Sequence, residues 1–242
     1  METHIMKQLV LRGSYGDAIA WLPLIERFAE PIQLQLSWWL NDGSFGILIQ
    51  TLLPNVEKIG FQSYKINDFT CNIHGQNSHS AWTESYVDKC ARILNVPSRY
   101  TLSIQAINRL GTIPKHNAIL CHPHTIYEFK RYQHWKNIDF GNRKVAQIGG
   151  PNDPSYLDVP QIRLNWINAA RFLLGSSGIV CIDSSMLHLS NILGVRNIAI
   201  YRPNFFHAVF QNHEIAIPCM GIGLENPDPK RLSETIHTYF KL

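Results

Sequence analysis

The chain has 242 residues, 45% of them hydrophobic and 17% charged; the charged share lies below the ~25% of ordinary globular proteins, which excludes a disordered or supercharged chain. Its 22 Lys and Arg outweigh 18 Asp and Glu for a net charge of +4, scattered along the chain, which suits an anionic ligand and lacks the clustered footprint of a nucleic-acid binder. No stretch approaches the ~20 apolar residues that span a bilayer, and the METHIMKQLV start lacks a signal peptide's apolar run, so a soluble cytoplasmic protein is expected.

In chain order, short apolar runs alternate with helical patterns, which predicts an α/β protein with a mostly parallel sheet. Lys7–Arg12 reads as a first strand. Gly13-Ser14-Tyr15-Gly16-Asp17 then turns the chain into a helix that Asp17 or its neighbour opens and that runs to about Ala29. Pro23 falls inside it and predicts a kink or restart, because proline removes a hydrogen bond and clashes with the preceding turn. Ile32–Trp39 alternates as a strand, Gly43–Leu53 is helix-like and Val56–Phe61 is a third strand. The polar stretch Asn67–Ser80 reads as loop and Ala81–Leu94 as helix; Asn95–His116, with Pro97, Gly111 and Pro114, gives no assignment.

A second series starts at Asn117, with strands over Ala118–Cys121, Lys144–Ile148, Gly178–Ile182 and Asn197–Tyr201. Asn165 caps a helix whose Trp166, Ala169, Ala170, Leu173 and Leu174 make one apolar stripe, stopped by Gly175. Further helices are expected over Ser184–Leu193 and Asp228–Phe240. The pattern divides the chain into residues 1–114 and 115–242, each a Rossmann-like half. The five cysteines, Cys71, Cys90, Cys121, Cys181 and Cys219, are odd in number and form no CxxC, which supports neither a disulfide framework nor a Cys-rich zinc site. Cys121 and Cys181 lie in strand-like runs and read as buried small hydrophobes.

Ligands of open α/β sheets bind beyond the carboxyl ends of the strands, and three such turns carry chemistry. In the first, Gly16 lets the backbone approach a ligand closely, and Asp17 is either a helix N-cap or a carboxylate base facing the cleft. In the second, Asp183-Ser184-Ser185 leads from a buried strand into a helix that contains His188. Its N-terminal N–H groups and dipole suit a phosphate, and plain capping by Ser184 is the alternative; His188 is a site residue or a satisfied core histidine. In the third, His122-Pro123-His124 precedes Lys130 and Arg131. The histidines make half a metal site with no partner at a familiar spacing, so no metal is expected. The two cations serve a phosphate or form a solvated surface pair. The dinucleotide GxGxxG, the phosphate loop ending in Gly-Lys-Ser/Thr and the GxSxG elbow are all absent. Trp38-Trp39 at a predicted strand end either packs as core and cleft wall or stacks on a base or sugar.

Gly16-Asp17 with Pro23, Lys130 with an aromatic two residues on, and Asp183-Ser-Ser-x-x-His188 before Gly194 together resemble glycosyltransferase family 9, the family of ADP-heptose:lipopolysaccharide heptosyltransferases. The segment Asn165–Tyr201 carries most of the likeness. The resemblance implies a GT-B-type fold, two Rossmann-like domains with parallel sheets and a cleft between them. It implies an inverting, metal-independent glycosyl transfer from a nucleotide-diphosphate sugar to an acceptor glycan or other hydroxyl-bearing acceptor, with no cofactor. Asp17 takes the place of the family's base for the acceptor hydroxyl and Lys130 that of its phosphate-binding lysine, with Tyr132 where Trp is common. Asp183, the backbone at Ser184 and Ser185, and His188 fall on the donor site, with Gly16 and Arg131 beside it. Ser185 stands where the family has Gly. The first half is shorter than the family's acceptor half, so the resemblance implies a nucleotide-sugar site before any particular acceptor. Two other readings stay open: a glycosyltransferase acting on modified nucleic-acid bases, and a non-catalytic nucleotide- or sugar-binding module.

Overall fold

A computed structural model of the chain describes residues 7–11, 14–62, 86–125, 131–201, 215–218 and 228–241. Two parallel sheets organise it, as the alternation of apolar runs predicts. Strands β1 (Lys7–Leu11), β2 (Ile32–Ser37) and β3 (Val56–Gln62) form the first, in that order. The second contains β4 (Ile119–His122), β5 (Val145–Gly149), β6 (Gln161–Arg163), β7 (Gly178–Ile182), β8 (Asn197–Tyr201) and β9 (Ile215–Pro218), ordered β6-β5-β4-β7-β8-β9. The helices are α1 (Tyr15–Ile25), α2 (Gly43–Leu52), α3 (Tyr86–Leu94), α4 (Ile104–Asn108), α5 (Trp166–Leu174), α6 (Ser185–Ile192) and α7 (Pro229–Phe240).

Side chains alternate faces along a strand, and the central strands of the second sheet are apolar on both. Leu120, Ile179 and Ala199 point into one core; Ile119, Val180, Ile182, Ile198 and Ile200 point into the other, where they meet Trp135 and the α7 residues Leu232, Ile236 and Phe240. The first core is continuous with that of the other sheet, because α1 lies on α6 and brings Ile19, Leu22 and Ile25 into the same cluster as Leu187 and Leu189. Cys121 and Cys181 are fully buried, as expected of small hydrophobes, and burial pushes both thiols up from their ordinary range.

Several expectations are corrected. Helix α1 does not begin at Asp17: Ser14 is its N-cap. It ends at Ile25 rather than near Ala29, because Arg27 and Phe28 donate to Leu24 and Ile25 in tight turns. It runs unbroken through Pro23, which sits in the last turn, and Glu26 N–H still reaches Leu22 at 3.0 Å. Strand β2 stops at Ser37, and Trp38–Leu40 is a 3₁₀ turn that leaves Trp38 58% and Trp39 38% exposed, outside the core. The unassigned stretch supplies α4, and β6 and β9 extend the second sheet. The predicted loop at 67–80, the start of the predicted helix at 81–85, Cys71, Lys130 and Cys219 lie outside the described residues.

Segment 95–118 ties the halves together. Leu102 N–H donates to Ile192 at the end of α6, and Arg109 and Arg171 reach the Leu52 and Leu110 carbonyls. Gly175 ends α5 where this segment crosses it: its carbonyl accepts from His116 N–H at 3.0 Å, and a methyl group built on it would stand 1.9 Å from the Pro114 carbonyl oxygen. The obstacle is backbone, so it cannot swing away. Gly175→Ala is expected to cost about 1–3 kcal/mol of stability, read as a lowered midpoint in urea at unchanged m-value; an unshifted midpoint would show that the crossing is looser than drawn.

Candidate functional site

Numbered within the second sheet alone, the strand order is 3-2-1-4-5-6, and the order reverses between β4 and β7. Ligands of such sheets bind at that switch point, outside the carboxyl ends of the strands. His122 ends β4; Asp183 and Ser184 follow β7. The two edges of the crevice are joined by a hydrogen bond, His122 Nδ1 to Ser184 Oγ at 2.9 Å.

Around this pair the structure gathers residues from three strand ends. Asp183 is buried, its N–H held by the Ile200 carbonyl at 3.1 Å, and its Oδ1 lies 3.9 Å from His188 Nε2. Ser184 is the N-cap of α6 and Ser185 its first residue, so the helix start expected at this turn is present. Asp153, in the turn after β5, faces both histidines of His122-Pro123-His124: its carboxylate oxygens stand 3.7 Å from His122 Nε2 and 3.5 Å from His124 Nε2. Gly150 N–H bonds the same carboxylate at 2.8 Å, and Tyr156 OH lies 3.3 Å from His124 Nδ1. Burial pushes the Asp153 carboxyl up, but His122, the Gly150 N–H and the charge of His124 outweigh it and hold the carboxyl below its ordinary value. Among the described residues no three His, Cys, Asp or Glu side chains gather as a metal would require. Arg131 donates through Nε to the Thr125 carbonyl at 3.4 Å, within its own connection.

The first turn reaches the same place by helix packing. A methyl group built on Gly16 would lie 2.6 Å from His188 Cδ2, so the start of α1 rests against the imidazole that faces Asp183. Asp17 is the third residue of α1, not its cap: its Oδ2 accepts from Ser14 N–H at 2.7 Å and Ser14 Oγ at 2.8 Å, closing a capping box. Gly16, Asp183, Ser184, Ser185 and His188 are thus brought together, and Asp17 sits one residue from the seam. Sequence reading did not find Asp153 or Tyr156; the polar run Gly149-Gly150-Pro151-Asn152-Asp153 directly after a predicted strand was the available signal.

Comparison with protein-family models gives no match, and comparison with curated proteins gives none. Solved structures do match. The E. coli heptosyltransferase WaaC, solved with ADP-2-deoxy-2-fluoro heptose, is 13% identical at a TM-score of 0.66, over 97% of this chain and 99% of that one. A glycosyl transferase of family 9 from Veillonella parvula is 14% identical at 0.65, over 100% of this chain and 99% of that one. The E. coli ADP-heptose heptosyltransferase II is 12% identical at 0.58, over 98% and 99%. This chain has their fold. The GT-B-type architecture expected from the resemblance is therefore present, and the likeness runs from end to end rather than over Asn165–Tyr201 alone. Among the described residues no helix is long and apolar enough to cross a membrane.

Asp153 carries a testable consequence. A carboxyl held low in the folded chain adds stability that is present above its unfolded value and lost as pH falls through its folded one. Asp153→Asn should lower stability at pH 7 by about 1.5–3 kcal/mol, the range for hydrogen bonds to a charged group. The gap to wild type should close as pH drops below the carboxylate range. Thermal melts across pH would check this, and a gap that stays constant into acid would show that the carboxylate's charge plays no part.

Proposed function

We propose that the chain is an inverting, metal-independent glycosyltransferase that moves a sugar from a nucleotide-diphosphate donor to an acceptor hydroxyl. The end-to-end likeness to a heptosyltransferase solved with ADP and with a fluorinated ADP-heptose carries this reading. Residues 115–242 receive the donor and residues 1–114 the acceptor. The diphosphate lies at the switch point, against the start of α6 at Ser184 and Ser185, with Asp183 and His188 shaping the pocket beside it. Lys130 and Arg131 neutralise charge that grows on the departing diphosphate, the task a metal ion performs elsewhere. Asp17 accepts the proton of the acceptor hydroxyl as that oxygen attacks the anomeric carbon from the face opposite the leaving group.

A panel of ADP-, GDP-, UDP- and CMP-sugars, read by calorimetry, tests the donor class; heat from none of them would remove the reading. Asp17→Asn separates catalysis from capping. The amide oxygen of Asn still accepts from Ser14 N–H, so the melting temperature should hardly move, whereas single-turnover transfer should fall by about 10²–10⁴-fold. Near-normal transfer by this variant would take the base role from Asp17. Transfer is also expected to persist in excess EDTA, and its complete loss, restored by one divalent metal, would overturn the metal-free mechanism.

A further inference from the structure

A serine at a helix N-cap ordinarily turns its hydroxyl onto the N–H groups of the first turn. Ser184 does not: its side chain makes no capping bond to α6 and turns instead to the buried His122, 2.9 Å away. The other nitrogen of His122 faces Asp153 at 3.7 Å. The imidazole is therefore held between a hydroxyl on one edge of the switch point and a carboxylate on the other.

Resting on the nucleotide-sugar reading above, we propose that His122 is a positioning residue whose protonation decides which way the Ser184 hydroxyl points, with Asp153 holding it in place. As imidazolium, both ring nitrogens are donors. Nδ1–H then donates to Ser184 Oγ, and the Ser184 O–H is left to donate to an anionic oxygen at the start of α6. As neutral imidazole with its proton on the Asp153 side, Nδ1 accepts the Ser184 proton, and the hydroxyl turns a lone pair toward that anion. Protonation of His122 and binding of an anion thus favour each other, and the leaving diphosphate is gripped harder in the protonated enzyme.

Several titratable groups face the pair. Asp153 has His124 and Tyr156 beyond it. Asp183 adjoins Ser184, with His188 beyond. Cys181 stands opposite His122 in the β4–β7 register, its thiol kept protonated by burial. Asp153 stays ionised wherever imidazoles titrate, because its carboxyl is held low against the upward push of its own burial. The pH dependence at Ser184 is accordingly assigned to an imidazole.

Sulfate is the probe, since it carries no proton that titrates near neutrality. Its affinity is read from the amide shifts of Ser184 and Ser185 between about pH 5.5 and 8, the range of imidazole. In wild type it should fall about tenfold with rising pH, and equally in His237→Gln, a control on the distant α7. In His122→Gln, whose amide always offers Ser184 a donor, the fall should shrink below about twofold. Ser184→Ala, which keeps the imidazole and removes the hydroxyl, should flatten it too and serves if the His122 variant does not fold. A full pH dependence in both variants, or no shift with sulfate in wild type, overturns the proposal. A donor panel that gives no heat while the sulfate dependence holds would instead sink the nucleotide-sugar reading alone.

Discussion

The close approach of α1 to α6 is the constraint on which the rest depends. Gly16 has no room for a side chain, since even a methyl group would press into His188. That absence allows two helices from different halves to share one buried seam, in which Ile19, Leu22 and Ile25 of α1 join Leu187 and Leu189 of α6. The seam also sets chemistry, because each helix begins at a turn that leaves a strand end. Pressing α1 onto α6 places the Gly16-Asp17 turn against the imidazole beside Asp183, so turns at strand ends of the two halves meet at the seam.

Two further ties fix helix ends, one within residues 1–114 and one across the two halves. At the far end of α1, Glu26 accepts from Ser103 N–H at 2.9 Å and pairs with Arg99 at 3.5 Å. At the start of α2, Asp42 uses one oxygen to cap its own helix through Ser44 N–H and the other to accept from Trp166 Nε1 at 3.1 Å. Trp166 in turn packs on Tyr15 and Phe45. Both ties pin a helix terminus by charge-assisted hydrogen bonds, which demand direction as well as proximity. Hydrophobic packing along α1 and α6 alone would tolerate sliding; directional bonds at α1's end and α2's start limit it.

What the sequence makes legible follows from how local each signal is. The β7–α6–β8 unit reads almost residue for residue, because an apolar run, a serine cap, a glycine stop and a second apolar run all lie within residues 178–201. Strand β6 has only Gln161–Arg163 and no full alternation to show, and α4 spans five residues inside a stretch rich in turn formers, so neither carries a period. Site residues divide the same way. Asp183 and Ser184 belong to a contiguous motif. Asp153 belongs to the site because β5 lies beside β4 in the sheet, a long-range pairing that places it against histidines some thirty positions earlier. The cap of α1 stays open in the sequence for a related reason: Ser14 and Asp17 are both good cap residues, and the bonds from Ser14 N–H and Oγ to Asp17 Oδ2, with Ser14 the cap and Asp17 the third position, exist only in the folded turn.

A carboxylate beside the proposed anion site looks unfavourable until its partners are counted. Alone, Asp153 would repel a diphosphate. It is set between two imidazoles, and with both protonated the trio carries one net positive charge where an isolated carboxylate would carry one negative. The same carboxylate fixes ring orientation: with Asp153 on the Nε2 side of His122, only Nδ1 remains to meet Ser184. The cluster therefore presents charge conditionally, through the hydroxyl of Ser184 at the head of α6, whereas an arginine such as Arg131 is a permanent cation. A diphosphate needs strong stabilisation as it leaves and weaker stabilisation when it must dissociate. Permanent cations cannot make that distinction, and an imidazole that takes up a proton with the anion and gives it back afterwards can.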